Sequence, residues 1–167
     1  SALIGNAIYH IYKTLGYTCV GINHLGDWGT QFGQLIVAYK KWGSENAHKT
    51  YTVTDLNNLY VRFHQEAEKN PGLEDEARAW FKKLESGDFE AKDLWQHFKD
   101  ISLKEFQKIY DMLGIHFNAF VGESFYNTMV DDTITRIKEK GLAKVSEQAL
   151  IIDLEPYNMP PCLLRKK

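Results

Sequence analysis

The sequence predicts an α/β fold that is interrupted by a mainly helical insertion. Two short apolar runs, at 17–22 and 115–121, have the composition of buried parallel strands, and each leads into a glycine-containing loop and a helix. The segment between them has helical periodicity and no strand-like run. We therefore assign residues 1–43 to the first part of an α/β core, 44–113 to the insertion and 114–167 to the return to the core.

The first part of the core is predicted to contain a helix, a strand, a loop and a second helix. Apolar residues recur with a helical period from Leu3 to Leu15, and Gly16 can take the positive φ that ends a helix. The strand at 17–22 is short and continuously apolar, which is typical of a parallel strand covered on both faces. After the loop at 23–31, Phe32 begins the apolar face of the second helix.

The insertion is predicted to be a set of amphipathic helices that break at 70–72 and 86–88. Its apolar stripes include Trp80, Trp95 and Phe98, which we interpret as core residues and not as a cofactor-binding box.

The return to the core begins after Gly114. We predict the strand at 115–121, a helix that ends at 140–141, and short strands in the remainder of the chain. These short strands are expected at 143–146, 149–154 and 162–164.

Composition excludes several classes of protein. The 20 basic and 22 acidic residues give a net charge of −2, unlike a strongly basic nucleic-acid-binding domain, and 13% aromatic residues exclude an acidic disordered tail. Without a secretory signal or a membrane-length apolar run, we expect a cytoplasmic protein with no membrane partner. Cys19 and Cys162 lack a CxxC pattern and are expected to be small buried residues.

The loop at 23–31 is the first candidate site. It joins the carboxyl end of a predicted parallel strand to the start of a helix, where open α/β sheets bind ligands and where helix N–H groups suit carboxylate or phosphate. Gly26 and Gly29 would allow close approach of a ligand. Alternatively, Asp27 is the N-cap of the helix, and the glycines only permit a tight turn.

The residues of this loop do not by themselves specify its chemistry. His24 and Asp27 could pair, but the sequence lacks the further groups that a hydrolytic triad or a catalytic zinc site requires. It also lacks a phosphate-binding P-loop and a GxGxxG fingerprint. We therefore assign no catalytic residue and no protein-bound metal.

A second cluster, at 122–127, follows the other predicted strand. Parallel strands end at the same edge of a sheet, so Glu123 and Ser124 are expected beside the first loop. The alternative is that Ser124 is a helix N-cap with Asn127 at the third helical position.

Three stretches together resemble the arginyl-tRNA synthetases, class I enzymes with a Rossmann-type, HUP-like nucleotide-binding core. They are NHLGDWGTQFG at 23–33, the run from DLWQ to ISLKEF at 93–106, and GESFY at 122–126. The resemblance covers essentially the whole chain. It implies a partial Rossmann core, in which the helical insertion separates the two halves.

The resemblance implies ATP-dependent activation of arginine and its transfer to tRNA(Arg) in protein synthesis. Arginine, ATP with magnesium, and tRNA(Arg) would be the partners, and the full-length enzyme would be a monomer. In the family, a HIGH-type motif precedes the position of Ser1 and a KMSKS-type loop lies beyond that of Lys167. We therefore expect a fragment of an arginine-tRNA ligase that is inactive alone, with its catalytic motif loops outside the chain.

The resemblance also implies two groups of binding residues. In the first, Asp27 would orient the loop or meet the cationic groups of arginine, Trp28 would pack against the substrate or the floor of the site, and Gln31 would lie at the rim. The full substrate-binding group is Asn23, His24, Gly26, Asp27, Trp28 and Gln31. The group expected near the 3′ end of tRNA is Glu123, Ser124 and Tyr126.

There are two alternatives to this interpretation. One is a non-catalytic synthetase paralogue, which would differ in the residues that flank this chain. The other is a helical protein-interaction module whose aromatic stripes bind a partner, and it predicts an exposed apolar groove and no response to ATP or arginine.

Overall fold

A computed structural model describes residues 1–43 and 51–166 of the protein. The chain divides into two compact units, Ser1–Glu123 and the residues from Ser124 onward. The predicted start of the insertion at residue 44 lies outside the described residues. Within the described ranges, no helix combines the length and the apolar character that a membrane span requires.

The first unit is mostly helical. Its elements in chain order are α1 (Ala2–Thr14), β1 (Ile22–Asn23), α2 (Thr30–Ala38) with a π-helical turn at Tyr39–Gly43, α3 (Val53–Lys69), α4 (Gly72–Ser86), α5 (Phe89–Leu113) and β2 (Ala119–Phe120). The prediction that the first helix stops at Gly16 is confirmed, because α1 ends at Thr14 and Gly16 has a φ of +89°.

The parallel sheet of this unit is much shorter than the sequence predicts. β1 and β2 pair in parallel over two residues each, with Ile22 opposite Ala119. The predicted extents, 17–22 and 115–121, are therefore wrong. Val20 and Ile22 are 67% and 55% exposed, so the strand is not covered on both faces, and the side-chain oxygen of Asn118 accepts the Gly21 N–H at 2.8 Å.

The hydrophobic core lies among α2, α3, α4 and α5. The core predictions for Trp80 and Phe98 are confirmed, and Trp95 packs at the edge of the same cluster. The buried members are Ile36, Val37, Ala38, Leu56, Leu59, Phe63, Leu73, Ala77, Trp80, Leu84, Ala91 and Phe98. Because α2 begins at Thr30, within the segment 23–31, and packs into this core, the C-terminal end of that loop has a fixed support.

The second unit carries an antiparallel sheet in the order β3-β4-β5. Its elements are the 3₁₀ helix Glu123–Met129, whose first residue still belongs to the first unit, α6 (Val130–Glu139), β3 (Ala143–Ser146), β4 (Ala149–Ile152), a 3₁₀ turn at Glu155–Tyr157 and β5 (Cys162–Lys166). The predicted strands at 143–146 and 149–154 pair as an antiparallel hairpin, the second ending at Ile152, and the connecting residues Glu147 and Gln148 have φ values of +47° and +66°.

Two smaller predictions are wrong. Cys162 is exposed and Cys19 is only partly buried, so the cysteines are not both core residues. The N-cap of α6 is Met129, and Ser124 lies inside the preceding 3₁₀ helix, so the helix-capping alternative for Ser124 is not realised.

Candidate substrate cleft

The two loops that follow β1 and β2 lie side by side in the first unit. The backbone N–H of Val121 donates to the Asn23 carbonyl, and that of Glu123 donates to the Leu25 carbonyl, both at 2.9 Å. The Nδ1 atom of His24 lies 3.0 Å from the Val121 carbonyl oxygen, to which it donates when it carries the proton. The predicted adjacency of the two loops is therefore confirmed as far as Glu123.

Asp27 is the most tightly held side chain of the loop at 23–31. It is only 4% exposed, and its carboxylate lies 2.6 Å from the Nζ atom of Lys99 on α5. The Trp95 indole N–H, also on α5, donates to the Asp27 carbonyl at 2.7 Å. The helix-capping alternative for Asp27 is wrong, because α2 has Gly29 as its N-cap and no side-chain cap hydrogen bond.

Gly122 gives the second loop its close approach to Asp27. A Cβ atom at this position would lie 2.2 to 2.3 Å from the carboxylate atoms of Asp27, so a side chain there would have to displace the carboxylate. The aspartate is thus enclosed between Lys99 on one element and the backbone of Gly122 on another.

Trp28 and Gln31 support the loop from its other side. The Trp28 ring makes edge contacts with Phe81 and Trp95, with centroids 5.6 and 5.8 Å apart, and packs against the core. The exposed Gln31 side-chain amide donates to the Trp28 carbonyl at 3.0 Å. The Trp28 ring contacts join the loop to α4 and α5.

A cavity of about 910 Å³ borders the loop within the first unit. Its lining from the loop region includes Asn23, His24, Leu25, Gly26 and Asp27. Asn23 is buried, and its side-chain amide donates to the Tyr110 hydroxyl at 3.0 Å. The volume is typical of a cleft that accepts a small molecule.

Two other walls of this cavity were not predicted from the sequence. One is α1, through residues that include Asn6 and Tyr9, and the other is α5, through Lys99, Ser102 and Phe106. The α5 residues recur at helical spacing, so polar side chains on an apolar stripe are the signal that could have revealed this wall.

The predicted residues for the 3′ end of tRNA fall in both units. Glu123 is exposed and ends the first unit next to the Leu25 carbonyl. Ser124 and Tyr126 lie on the 3₁₀ helix of the second unit, where the Tyr126 ring contacts that of Phe125. Among the described residues, no three His, Cys, Asp or Glu side chains are grouped so as to hold a metal ion.

The comparisons with known proteins agree on one family. The family model described as "tRNA synthetases class I (R), catalytic domain" matches residues 1–167. Proteins named arginine–tRNA ligase from Exiguobacterium sp. (strain ATCC BAA-1283 / AT1b) and Alkaliphilus metalliredigens are each 56% identical over 167 residues, which is 100% of this chain and 30% of each relative.

A solved structure gives the same result. The crystal structure of arginyl-tRNA synthetase from Plasmodium falciparum superposes with a TM-score of 0.81 and a sequence identity of 29%. The match covers 99% of this chain and 28% of that one. The chain thus spans about 30% of the length of the curated relatives that it matches. It belongs to the class I tRNA synthetase family for arginine and corresponds to part of the catalytic domain.

Proposed function

We propose that the chain forms part of the catalytic domain of an arginine–tRNA ligase, which activates arginine with ATP and transfers it to tRNA(Arg). The observation that carries the proposal is the loop at 23–31, which follows a parallel strand and borders a cavity of about 910 Å³. The relatives named arginine–tRNA ligase, 56% identical across the whole chain, support it.

The proposed reaction needs positioned substrates and no enzyme nucleophile. A carboxylate oxygen of arginine attacks the α-phosphorus of ATP, and the bond to pyrophosphate breaks. A hydroxyl of the terminal ribose of tRNA then attacks the arginyl carbonyl, and AMP leaves. Steps of this kind depend on alignment of the reacting groups and on stabilisation of the developing negative charge. Magnesium would enter with the phosphates of ATP.

The residues of this chain would shape the cleft. Asn23, His24, Gly26 and Asp27 would form its wall, since all four line the cavity. Trp28 would support the loop from the core.

The remaining predicted residues have positional roles in the proposal. Gln31, exposed at the start of α2, would lie at the rim. Glu123, Ser124 and Tyr126 would lie near the terminal adenosine of tRNA, and the Glu123–Leu25 backbone contact supports this for the first of them.

Most of the tRNA affinity would come from outside the chain. Binding to the phosphate backbone requires an excess of Lys and Arg, and this chain has a net charge of −2. The HIGH-type and KMSKS-type loops would also lie outside it. We propose that the full-length enzyme is monomeric.

The alternative of a helical interaction module has weaker support. It requires the aromatic stripes of the insertion to face a partner, whereas Trp80 and Phe98 are buried in the core.

A charging assay tests the proposal. The full-length protein that carries this chain is incubated with ATP, tRNA(Arg) and labelled arginine, and acid-insoluble label is counted. We expect charging that requires ATP and fails when lysine replaces arginine, because lysine has the charge but not the planar guanidinium. Absence of arginine charging by the folded protein would favour the non-catalytic paralogue.

A further inference from the structure

One face of α5 contacts the loop at 23–31 at three points. Trp95 and Lys99 contact Asp27, and the Tyr110 hydroxyl accepts from the side chain of Asn23. At 100° per residue these three α5 positions lie within about 60° of one another around the helix, and they span roughly 22 Å along it. The insertion thus holds both ends of the cavity-lining segment of the loop.

The contacts around Asp27 give its carboxylate a counter-ion from the protein. The Lys99 Nζ atom is 2.6 Å away, and it also lies 4.8 Å from the centroid of the Trp95 ring. A substrate guanidinium that replaced Lys99 would leave the lysine charge in a site where only 20% of its side chain is exposed. Separating a buried ion pair in this way is unfavourable.

We propose that Trp95 and Lys99 are positioning residues that fix the loop at 23–31 through Asp27, and that Asp27 does not bind the guanidinium of arginine. This assignment rests on the proposed function and deepens it. The carboxylate orients the loop by pairing with Lys99 on α5 while it packs closely against Gly122, and Trp95 holds the same residue through its carbonyl.

The test uses arginine-dependent ATP–pyrophosphate exchange by the full-length protein with tRNA(Arg), with active sites titrated. The variants are Asp27→Asn, Lys99→Met, the double variant and Lys99→Arg. Lys40→Met is the matched control, because Lys40 also pairs with an acidic residue and lies 4.8 Å from a tryptophan ring centroid, that of Trp80.

We expect Asp27→Asn and Lys99→Met each to lower kcat per active site by about tenfold, as misalignment of substrates would, with less than about a threefold change in KM for arginine. The double variant should lose no more activity than the poorer single variant, because the two substitutions remove the same Asp27–Lys99 interaction. Lys99→Arg should retain most of the activity, and Lys40→Met should match the wild type. If Lys99→Met does not fold, Trp95→Phe, which removes only the N–H donor and part of the ring, should show the same loss in kcat.

Direct binding of arginine by Asp27 gives the opposite pattern. Lys99→Met would then lower KM for arginine by exposing the carboxylate, and Asp27→Asn would raise that KM in both backgrounds. Either result overturns the assignment. So does a variant set that loses only thermal stability, with kcat per active site unchanged. An inactive wild-type protein would refute the proposed function itself. If the wild type is active and the variants give either contrary pattern, only the assignment of Trp95 and Lys99 as positioning residues is refuted.

Discussion

Gly33 is the position where the structure predicts the largest effect from the smallest change. It lies inside α2, and a Cβ atom there would be 2.1 Å from the Ala77 carbonyl oxygen and 3.1 Å from the Phe81 Cβ atom. Ordinary van der Waals contact begins near 3.4 Å, so the methyl group would be about 1.3 Å too close to the backbone of α4. The two helices would have to separate, and the core between them would lose contacts.

The magnitude follows from two opposing contributions. Replacing glycine by alanine in an unconstrained helix stabilises it by about 1 kcal/mol. Overpacking typically costs about 1–3 kcal/mol, and the upper end applies here because the obstacle is a backbone carbonyl and not a mobile side chain. We therefore expect Gly33→Ala to lower the free energy of unfolding by about 2 kcal/mol.

Urea denaturation followed by circular dichroism measures this difference. Gly5→Ala in α1 is the control, because a Cβ atom there would meet nothing within 4 Å. It should leave the free energy of unfolding unchanged or raise it by up to about 1 kcal/mol. If Gly33→Ala were neutral or stabilising like the control, the close crossing of α2 and α4 would be refuted.

Three further predictions concern other parts of the chain. Phe63→Ala removes a fully buried ring from α3 and should cost about 3–5 kcal/mol in denaturant titrations, whereas a loss below 1 kcal/mol would contradict the core assignment. Thr52→Ala removes one half of the capping box with Asp55 and should cost about 1 kcal/mol, with increased hydrogen exchange in the first turn of α3; unchanged exchange there would argue against the cap. In the second unit, the hydrogen bond from Lys144 and then that from the Glu155 N–H lower the pKa of Asp153, and the hydrogen bond to Asp153 raises the pKa of Lys144. The carboxylate contribution to hairpin stability is therefore present above about pH 4 and lost as pH falls through the lowered pKa, and the lysine contribution is present below about pH 10 and lost as pH rises through the raised pKa. Chemical-shift titration of the hairpin should show both transitions, and an Asp153 pKa at or above its ordinary value would refute the pairing.

Local sequence signals predicted the elements that local interactions determine. The hairpin of β3 and β4 was predictable because its strands and turn are adjacent in the chain. The extents of β1 and β2 were not, because a run such as the one at 17–22 becomes a strand only where neighbours pair with it. Among the described residues, β1 has β2 alone as a partner, so most of that run stays outside the sheet.

The candidate site divides in the same way. The loop at 23–31 was predictable because its glycines and polar residues form one continuous segment. The hydrogen bond from Trp95 to the Asp27 carbonyl joins residues 68 positions apart, and no local pattern specifies such a pair. The same holds for Gly122, whose need for a glycine follows only from the nearby Asp27 carboxylate.

The proposed function is tested most directly by ATP–pyrophosphate exchange with and without arginine and tRNA(Arg), on the full-length protein and on the 167-residue chain. We expect arginine-dependent exchange by the full-length protein and none by the chain, because the proposed function gives the loop at 23–31 and α5 only a cleft-shaping role and the chain spans about 30% of the length of its relatives. Exchange by the chain alone would contradict this division of roles. Absence of exchange from a folded full-length protein would contradict the assignment as an arginine–tRNA ligase.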